Sequence, residues 1–419
     1  MSKIKKTTLA TALLLVTAQS SAAGFQVSEH SASGLGRAFA GEAAVADNAS
    51  VLARNPAAMS RFDKAEISVV GSYIVPTADI DGVNDPTAFN DASRLDSNDV
   101  INDAFVPAMY YVQPINEKWA VGLAMFSGYG MVSEHEGDYA VGAGAGTTDL
   151  LTFNINPSVS FKATDALSLG LGVSAVYAKA TLERNFGDLQ YDTNLGPLAT
   201  DGASTQLFLL EGDAWAYGWN VGALYEFSEN NRIGLAYRSQ VDIEFEGDFT
   251  GVTSGGKKIQ TTLEIPLPAT AEISGYHKVT PKIAVTYSAL WTQWSKFTEL
   301  EANSSECTVT ATPTECFKKE EHYDDNIRYA VGAEYYVGNT TLRAGFAFDE
   351  QAGETTLSIP DTDRYWYTMG ATYELDQTLS FDFALAYIFT KELEFTEYGY
   401  TFAGQGDAII ASAQVNYRF

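Results

Sequence analysis

Beyond residue 22, no stretch of this chain approaches 18 consecutive apolar residues, so nothing in it reads as a helix that crosses a bilayer. Basic residues are scarce too. Only 26 lysines and arginines face 53 aspartates and glutamates, which excludes a nucleic-acid partner, since phosphates are held by basic surface. His30, His135, His277 and His322 are scattered without ligand spacing, and Cys307 and Cys316 have no companions, so no metal site is argued. Spacing singles out no serine and histidine as a catalytic pair, and the chain is read as no enzyme, without a cofactor. Gly34, Gly36 and Gly41 follow no strand and open no βαβ unit, which excludes a dinucleotide loop.

The chain does have 23 tyrosines, 23 phenylalanines and 35 glycines with only 19% charged residues, the composition of one large β protein. Lipid tolerates only helices and closed barrels, so a membrane reading must be a barrel. Residues 1–22 carry Lys3, Lys5 and Lys6, then an apolar run over 9–18, then small residues, and read as a cleavable secretory signal. Its removal leaves 23 basic against 53 acidic residues, a net charge of −30. The exported compartment permits a disulfide, and Cys307 and Cys316, nine apart in a polar stretch, are expected to staple an outer loop.

Near the C-terminus, Ile409, Ala411, Ala413, Val415, Tyr417 and Phe419 share one register, while Ala408, Ile410, Ser412, Gln414, Asn416 and Arg418 share the other. That is a two-sided strand longer than the roughly 9 to 11 residues a tilted bilayer crossing takes. From Glu66 onward there are 14 period-two segments, among them 66–75, 118–129, 232–246, 262–278, 318–337 and 406–419. Tight polar turns, such as 114–117, 228–231 and 376–377, alternate with long links, such as 76–103, 130–148 and 183–212. An even strand count with short turns on one side and long loops on the other is the pattern of outer-membrane barrels. Trp119, Trp219, Tyr225, Trp291 and Tyr373 suit an interfacial girdle.

Eight strands make a barrel that side chains fill, whereas sixteen leave a channel, so fourteen leave a hole. Residues 24–62 are rich in Ala, Ser and Gly, have helical patterns over 35–46 and 49–53, and are placed in that hole. The expectation is all-β: a 14-stranded antiparallel transmembrane barrel with a partly helical N-terminal hatch, divided into 1–22 signal, 23–62 hatch and 63–419 barrel.

Residues 23–41 (AGFQVSEHSASGLGRAFAG) and 54–57 (RNPA), with 146–150 (GTTDL), 215–222 (WAYGWNVG), 231–239 (NRIGLAYRS) and 359–366 (IPDTDRYW), resemble the FadL family of bacterial outer-membrane long-chain fatty-acid transporters. The resemblance covers nearly the full mature chain. It implies a monomer in the outer membrane that meets outer-membrane lipids and passes long-chain fatty acids by passive, ligand-gated diffusion. It places Arg184 and Lys319 at the pair of basic residues that approaches the bound carboxylate, and Phe25 in the N-terminal stretch that shifts on binding. It also sets the hatch motif Asn55, Pro56 and Ala57 against the third strand, whose Gly128, Tyr129 and Gly130 carry an inward kink opening sideways into the bilayer. The alternative within the same fold is a channel for monoaromatic or other hydrophobic compounds.

Overall fold

The computed structural model describes residues 24–191, 202–308 and 314–419; the expected signal at 1–22 lies outside them. Fourteen antiparallel strands close into a barrel. They are β1 (Glu66–Asn84), β2 (Ala104–Pro114), β3 (Trp119–Phe126 and Gly130–Glu134), β4 (Gly146–Lys162), β5 (Leu167–Asn185), β6 (Gln206–Ser228) and β7 (Asn231–Arg238 and Val241–Gly251). There follow β8 (Lys258–Leu267 and Thr270–Thr280), β9 (Ile283–Thr292 and Glu299–Asn303), β10 (Glu315–Glu320 and Asn326–Val337), β11 (Thr340–Asp349), β12 (Arg364–Glu374), β13 (Leu379–Thr390 and Leu393–Glu397) and β14 (Tyr400–Arg418). Closure runs from Glu66↔Arg418 to Asn84↔Thr401, between β1 and β14. A closed ladder leaves no sheet edge to lipid, where an unpaired backbone group costs several kcal/mol.

The alternation separates as the sequence predicts. On β14, Ile409, Val415 and Tyr417 are exposed to the outside while Ile410, Ser412, Gln414 and Asn416 are buried. Trp119, Trp219, Tyr225 and Tyr373 are exposed on the outer wall. Strand bounds differ more. β1 continues through Pro76 to Asn84 rather than ending at 75, and β6 begins at Gln206. The segments 232–246, 262–278 and 318–337, each expected as one strand, are broken. Across Ser239 and Gln240 the buried register of β7 changes from Arg232 to Val241, Ile243 and Phe245, because one extra residue flips every later side chain to the other face.

Residues 24–62 lie within the barrel and are almost entirely buried. Their regular pieces are one α-turn, Ala32–Leu35, and two 3-10 turns, Ala49–Ala53 and Pro56–Arg61, capped by the side chains of Ser31, Asn48 and Asn55. The helix expected over 35–46 does not form. The chain turns instead through Ala38, Phe39 and Gly41, at φ of 53°, 56° and 83°. Bonds to the wall override helix propensity here: Arg37 reaches Glu334, and the Ala43 N–H donates to Glu272 and Ser274.

The hatch meets β5 and β6 at glycines. A Cβ on Gly222 would stand 1.9 Å from Asn55 Oδ1, and one on Gly170 2.2 Å from the Ala57 nitrogen, so only glycine admits this contact. Outward of the hatch the lumen is apolar, with Phe25, Tyr129, Leu150, Val176, Phe245 and Trp294 in one buried cluster. Toward the short turns it is charged. Cys307 and Cys316 are bonded, with Cα atoms 5.2 Å apart, tying the first piece of β10 to the loop before it.

Candidate functional site

The site begins where β3 breaks. Its pairing with β2 runs from Pro114↔Ala120 to Met109↔Met125 and resumes at the single bridge Ile101↔Ser133. Residues 102–108 and 126–132 thus face each other without a ladder, and Pro107 has no N–H to offer one. The chain's own N-terminal segment takes over the pairing. The Gly130 N–H donates to the Phe25 carbonyl and the Val27 N–H to the Gly128 carbonyl, each at 2.9 Å. Tyr129 is buried, and its hydroxyl donates across the lumen to the Pro268 carbonyl at 2.6 Å. The Phe25 ring packs edge-on against Trp294 (4.7 Å), Phe297 (5.2 Å) and Tyr129 (6.1 Å).

Beside this gap lies a cavity, about 840 Å³ of empty space with its opening to solvent included, lined by Gly24, Ala78, Ile80, Val100, Met131, Ile359, Ile388 and Ala408. Arg364 and Asp361 are the charged residues of its floor most deeply buried. Arg364 Nη2 donates to Asp361 at 2.8 Å, and its Nη1 has no hydrogen-bond partner. Directly opposite one another on β10, β11 and β12 stand Arg328, Asp349 and Arg364. Arg328 Nε lies 4.0 Å from Asp349, and neither its Nε nor its Nη2 makes a hydrogen bond. A buried donor without a partner costs about 1 to 3 kcal/mol, more when charged, and an incoming carboxylate would relieve that cost. Arg364 was not singled out from the sequence, although it stands in the IPDTDRYW motif. Sharing the inward register of Trp366 as a basic residue is the signal that could have found it.

Arg184 and Lys319 do not line this cavity. Buried Arg184 donates to the carbonyls of Thr147 and Glu183, each at 2.8 Å, and to Thr148 Oγ1 at 3.0 Å. Lys319 Nζ sits 3.2 Å from Glu321 and 3.5 Å from Glu397 and donates to Ser358 at 2.5 Å. Both cations act on Glu321, so the fold does bring them into one cluster. It sits across the loop 350–363, whose Thr355 and Ile359 face the cavity while Thr356 and Ser358 face Lys319. Nearby, His135 ties two outer loops together, its Nδ1 3.0 Å from Ser97 Oγ and its Nε2 2.9 Å from the Leu357 carbonyl. A carbonyl only accepts, so Nε2 carries the proton; burial pushes the imidazole down to about 4 and keeps it neutral.

Asn55 does not reach the kink. Its amide donates to the carbonyls of Ala43 (2.7 Å) and Ala223 (3.1 Å), and its oxygen accepts from the Ala57 N–H, because Gly170 and Gly222 hold the turn against β5 and β6. Against the first piece of β3 the hatch sets Met59 and Leu52, whose sulfur and Cδ1 stand 2.6 and 2.7 Å from where a Gly122 Cβ would be.

At the inner mouth, Arg37 binds Glu42, Asp47 and Glu334 at 2.8, 2.8 and 2.9 Å. Arg343 binds Asp47 at 3.1 Å and Glu334 at 3.0 Å, with Asp382 at 3.7 Å. Below them a polar vestibule of about 1,220 Å³ is edged by Arg61, Lys278, Glu374 and Arg418.

A closed barrel filled by its own N-terminal segment, with an apolar cavity against one broken wall, defines a plugged transport barrel of the bacterial outer membrane. Over residues 13–419 the chain matches, and belongs to, the family described as outer membrane protein transport protein (OMPP1/FadL/TodX). It is 44% identical to the 47 kDa outer membrane protein of Pasteurella multocida, over 100% of this chain and 99% of that one. It is 38% identical to the long-chain fatty acid transport protein of Salmonella typhi, over 99% of this chain and 98% of the relative. Its fold is that of a solved Pseudomonas aeruginosa FadL homologue: TM-score 0.82 at 23% identity, over 95% of this chain and 100% of the other.

Proposed function

We propose that this barrel takes up long-chain fatty acids by passive, ligand-gated diffusion, releasing them sideways into the bilayer between β2 and β3. The observation that carries this reading is the apolar cavity with the unmatched Arg364 Nη1 beside it, set against the N-terminal residues that bridge broken β3. The name of the Salmonella relative supports the choice of cargo.

Magnitudes favour a sideways route. A C16 acid buries about 14 methylenes at roughly 0.8 kcal/mol each, about 11 kcal/mol gross, whereas a charge-assisted bond to its carboxylate adds about 1.5 to 3 kcal/mol. Apolar lining supplies affinity and arginine supplies orientation. The straight path meets the ion pairs of Arg37 and Arg343 and then a polar vestibule, where that burial would be forfeited. A chain seated against Gly24 displaces Phe25, the bonds to Gly128 and Gly130 are lost, and the freed Gly128–Tyr129–Gly130 segment swings clear of the gap. Arg184 and Lys319 attract the carboxylate on the outer approach, and Asn55, Pro56 and Ala57 anchor the hatch to β5 and β6 while the N-terminus moves.

Binding of palmitate and of methyl palmitate, to wild type and to Arg364→Gln, tests the reading. The acid should bind about 10-fold to 100-fold more weakly to the variant and the ester unchanged, as the loss of one charge-assisted bond implies. Equal change for the two ligands ends acid recognition at Arg364, and tight toluene binding without palmitate binding would favour a neutral hydrocarbon as cargo.

A further inference from the structure

A second interval of the wall lacks a ladder. β6 pairs with β7 from Ser228↔Asn231 to Asn220↔Arg238 and again from Asp213↔Glu246 to Phe208↔Gly251. Between these, residues 214–218 of β6 face 240–245 of β7 without pairing. Seven positions separate Asn220 from Asp213 and eight separate Arg238 from Glu246, so β7 carries one residue too many. The last contact before the gap is made partly by a side chain. The Ser239 N–H donates to the Trp219 carbonyl at 2.9 Å, and the Trp219 N–H donates to Ser239 Oγ at 3.0 Å.

β8 breaks at the same level, at Pro268 and Ala269, and the Pro268 carbonyl is taken by Tyr129 of the β3 kink. Gly218 stands ten residues before Ser228, as Gly128 stands ten beyond Lys118. About 9 to 11 residues cross a bilayer, so both irregularities reach the outer edge of the hydrocarbon. Ladder-free backbone at that depth is tolerated only where it is buried in protein or lines a cavity. Here it lines one. A cavity, about 640 Å³ of empty space with its openings to solvent included, runs from Gly128 and Tyr129 at the kink to Gly218, Trp219, Ser239 and Val241 at the second gap. The gap is kept narrow but unblocked by glycine, since a Cβ on Gly218 would stand 2.7 Å from Val241 Cγ2. On the lipid face just inward of exposed Trp219, the small Ala271 separates the rings of Tyr237 and Trp291, and the slot between them continues the path.

We infer that the interruption between β6 and β7 is a second lateral portal, through which an acyl chain leaves the kink cavity at Gly218 and enters the membrane beside Trp219. This rests on the reading of the cargo as apolar and not on exit between β2 and β3. Displacing Tyr129 frees the Pro268 carbonyl, so one movement of β3 loosens both walls.

The test uses the full-length protein in the outer membrane, with Gly218→Cys and Val241→Cys joined across the second gap. Ala108→Cys and Phe126→Cys, the first positions beyond Met109↔Met125, are joined across the first. Uptake of labelled palmitate is measured before and after oxidation, with palmitate binding as the control for folding. The link at 218 and 241 should lower uptake by itself and remove what remains once the first gap is linked, with binding retained. Unchanged uptake on forming the 218–241 link, with the first gap open and with it linked, overturns the second portal whatever the first link does. If Gly218→Cys does not assemble, Tyr217→Cys with Gln240→Cys closes the same window from the lipid side and is read the same way. A wild type that does not carry palmitate ends the fatty-acid reading alone, and the same links are then read with labelled toluene.

Discussion

Glu29 shows how one buried group can set the behaviour of the N-terminal segment. One of its carboxyl oxygens accepts from the Ser28 N–H at 2.9 Å, and the other has no partner. Burial pushes the carboxyl from 4.5 up to about 7, against the backbone bonds of Glu29 and Ser28 and the charges of Arg328 and Arg54. The fold therefore holds this proton more tightly than the unfolded chain does. Its contribution is fully present below about 4.5 and is lost as pH rises through about 7, a change of roughly 3 kcal/mol. Glu29 is two residues from Val27, so the loss falls on the bridge to β3. Amides of residues 25–31 are expected to lose protection between about pH 4.5 and pH 7, beyond the intrinsic rate change, and Glu29→Gln should flatten that dependence. Hydrogen exchange decides it, and the same pH profile in both proteins would sink the role. Arg184→Ala with Lys319→Ala should slow capture of palmitate but not of its methyl ester, with assembly unaffected. An equal slowing of the two, measured by stopped-flow fluorescence, would remove both cations from the approach.

At the scale of elements, β3 is held by a segment that is not part of the barrel. Phe25→Ala removes three edge-on ring contacts, each worth about 0.5 to 1.5 kcal/mol beyond the burial itself, and leaves the backbone bonds to Gly128 and Gly130 in place but unsupported. Amides of Gly128 to Gly130 should exchange faster, and uptake should depend less on ligand concentration. Protection equal to wild type would mean that the ring does not hold the kink. The weakness of β3 was legible, since Gly128 and Gly130 interrupt an apolar register. The partner of Asn55 was not, because Ala223 lies 168 residues away and no local pattern encodes that contact. The same holds for the extra residue in β7: hydropathy on either side of Ser239 reads as one strand, and only its pairing with β6 exposes the slip.

For the whole molecule, the barrel and its hatch have separate sources of stability. Ladders and lipid-facing side chains hold the wall, while Arg37 and Arg343, among Glu42, Asp47, Glu334 and Asp382, hold the hatch to it. Arg37→Met leaves Asp47 and Glu334 to Arg343 and leaves Glu42 with His30 alone, a loss of about 3 to 5 kcal/mol. The barrel should still assemble with its heat-modifiable migration intact while protease cuts within 24–62; an uncut hatch would show that the network does not hold it. The sequence alone determined the number of crossings, their sidedness, export and the presence of a plug, because a bilayer imposes a local period of two and a length on every strand. Tertiary structure decided the route of the hatch, the partner of Asn55, the free donor of Arg364 and the intervals without a ladder. Those depend on register between strands distant in the chain, and a shift of one residue redirects every side chain beyond it while leaving the composition of each strand unchanged.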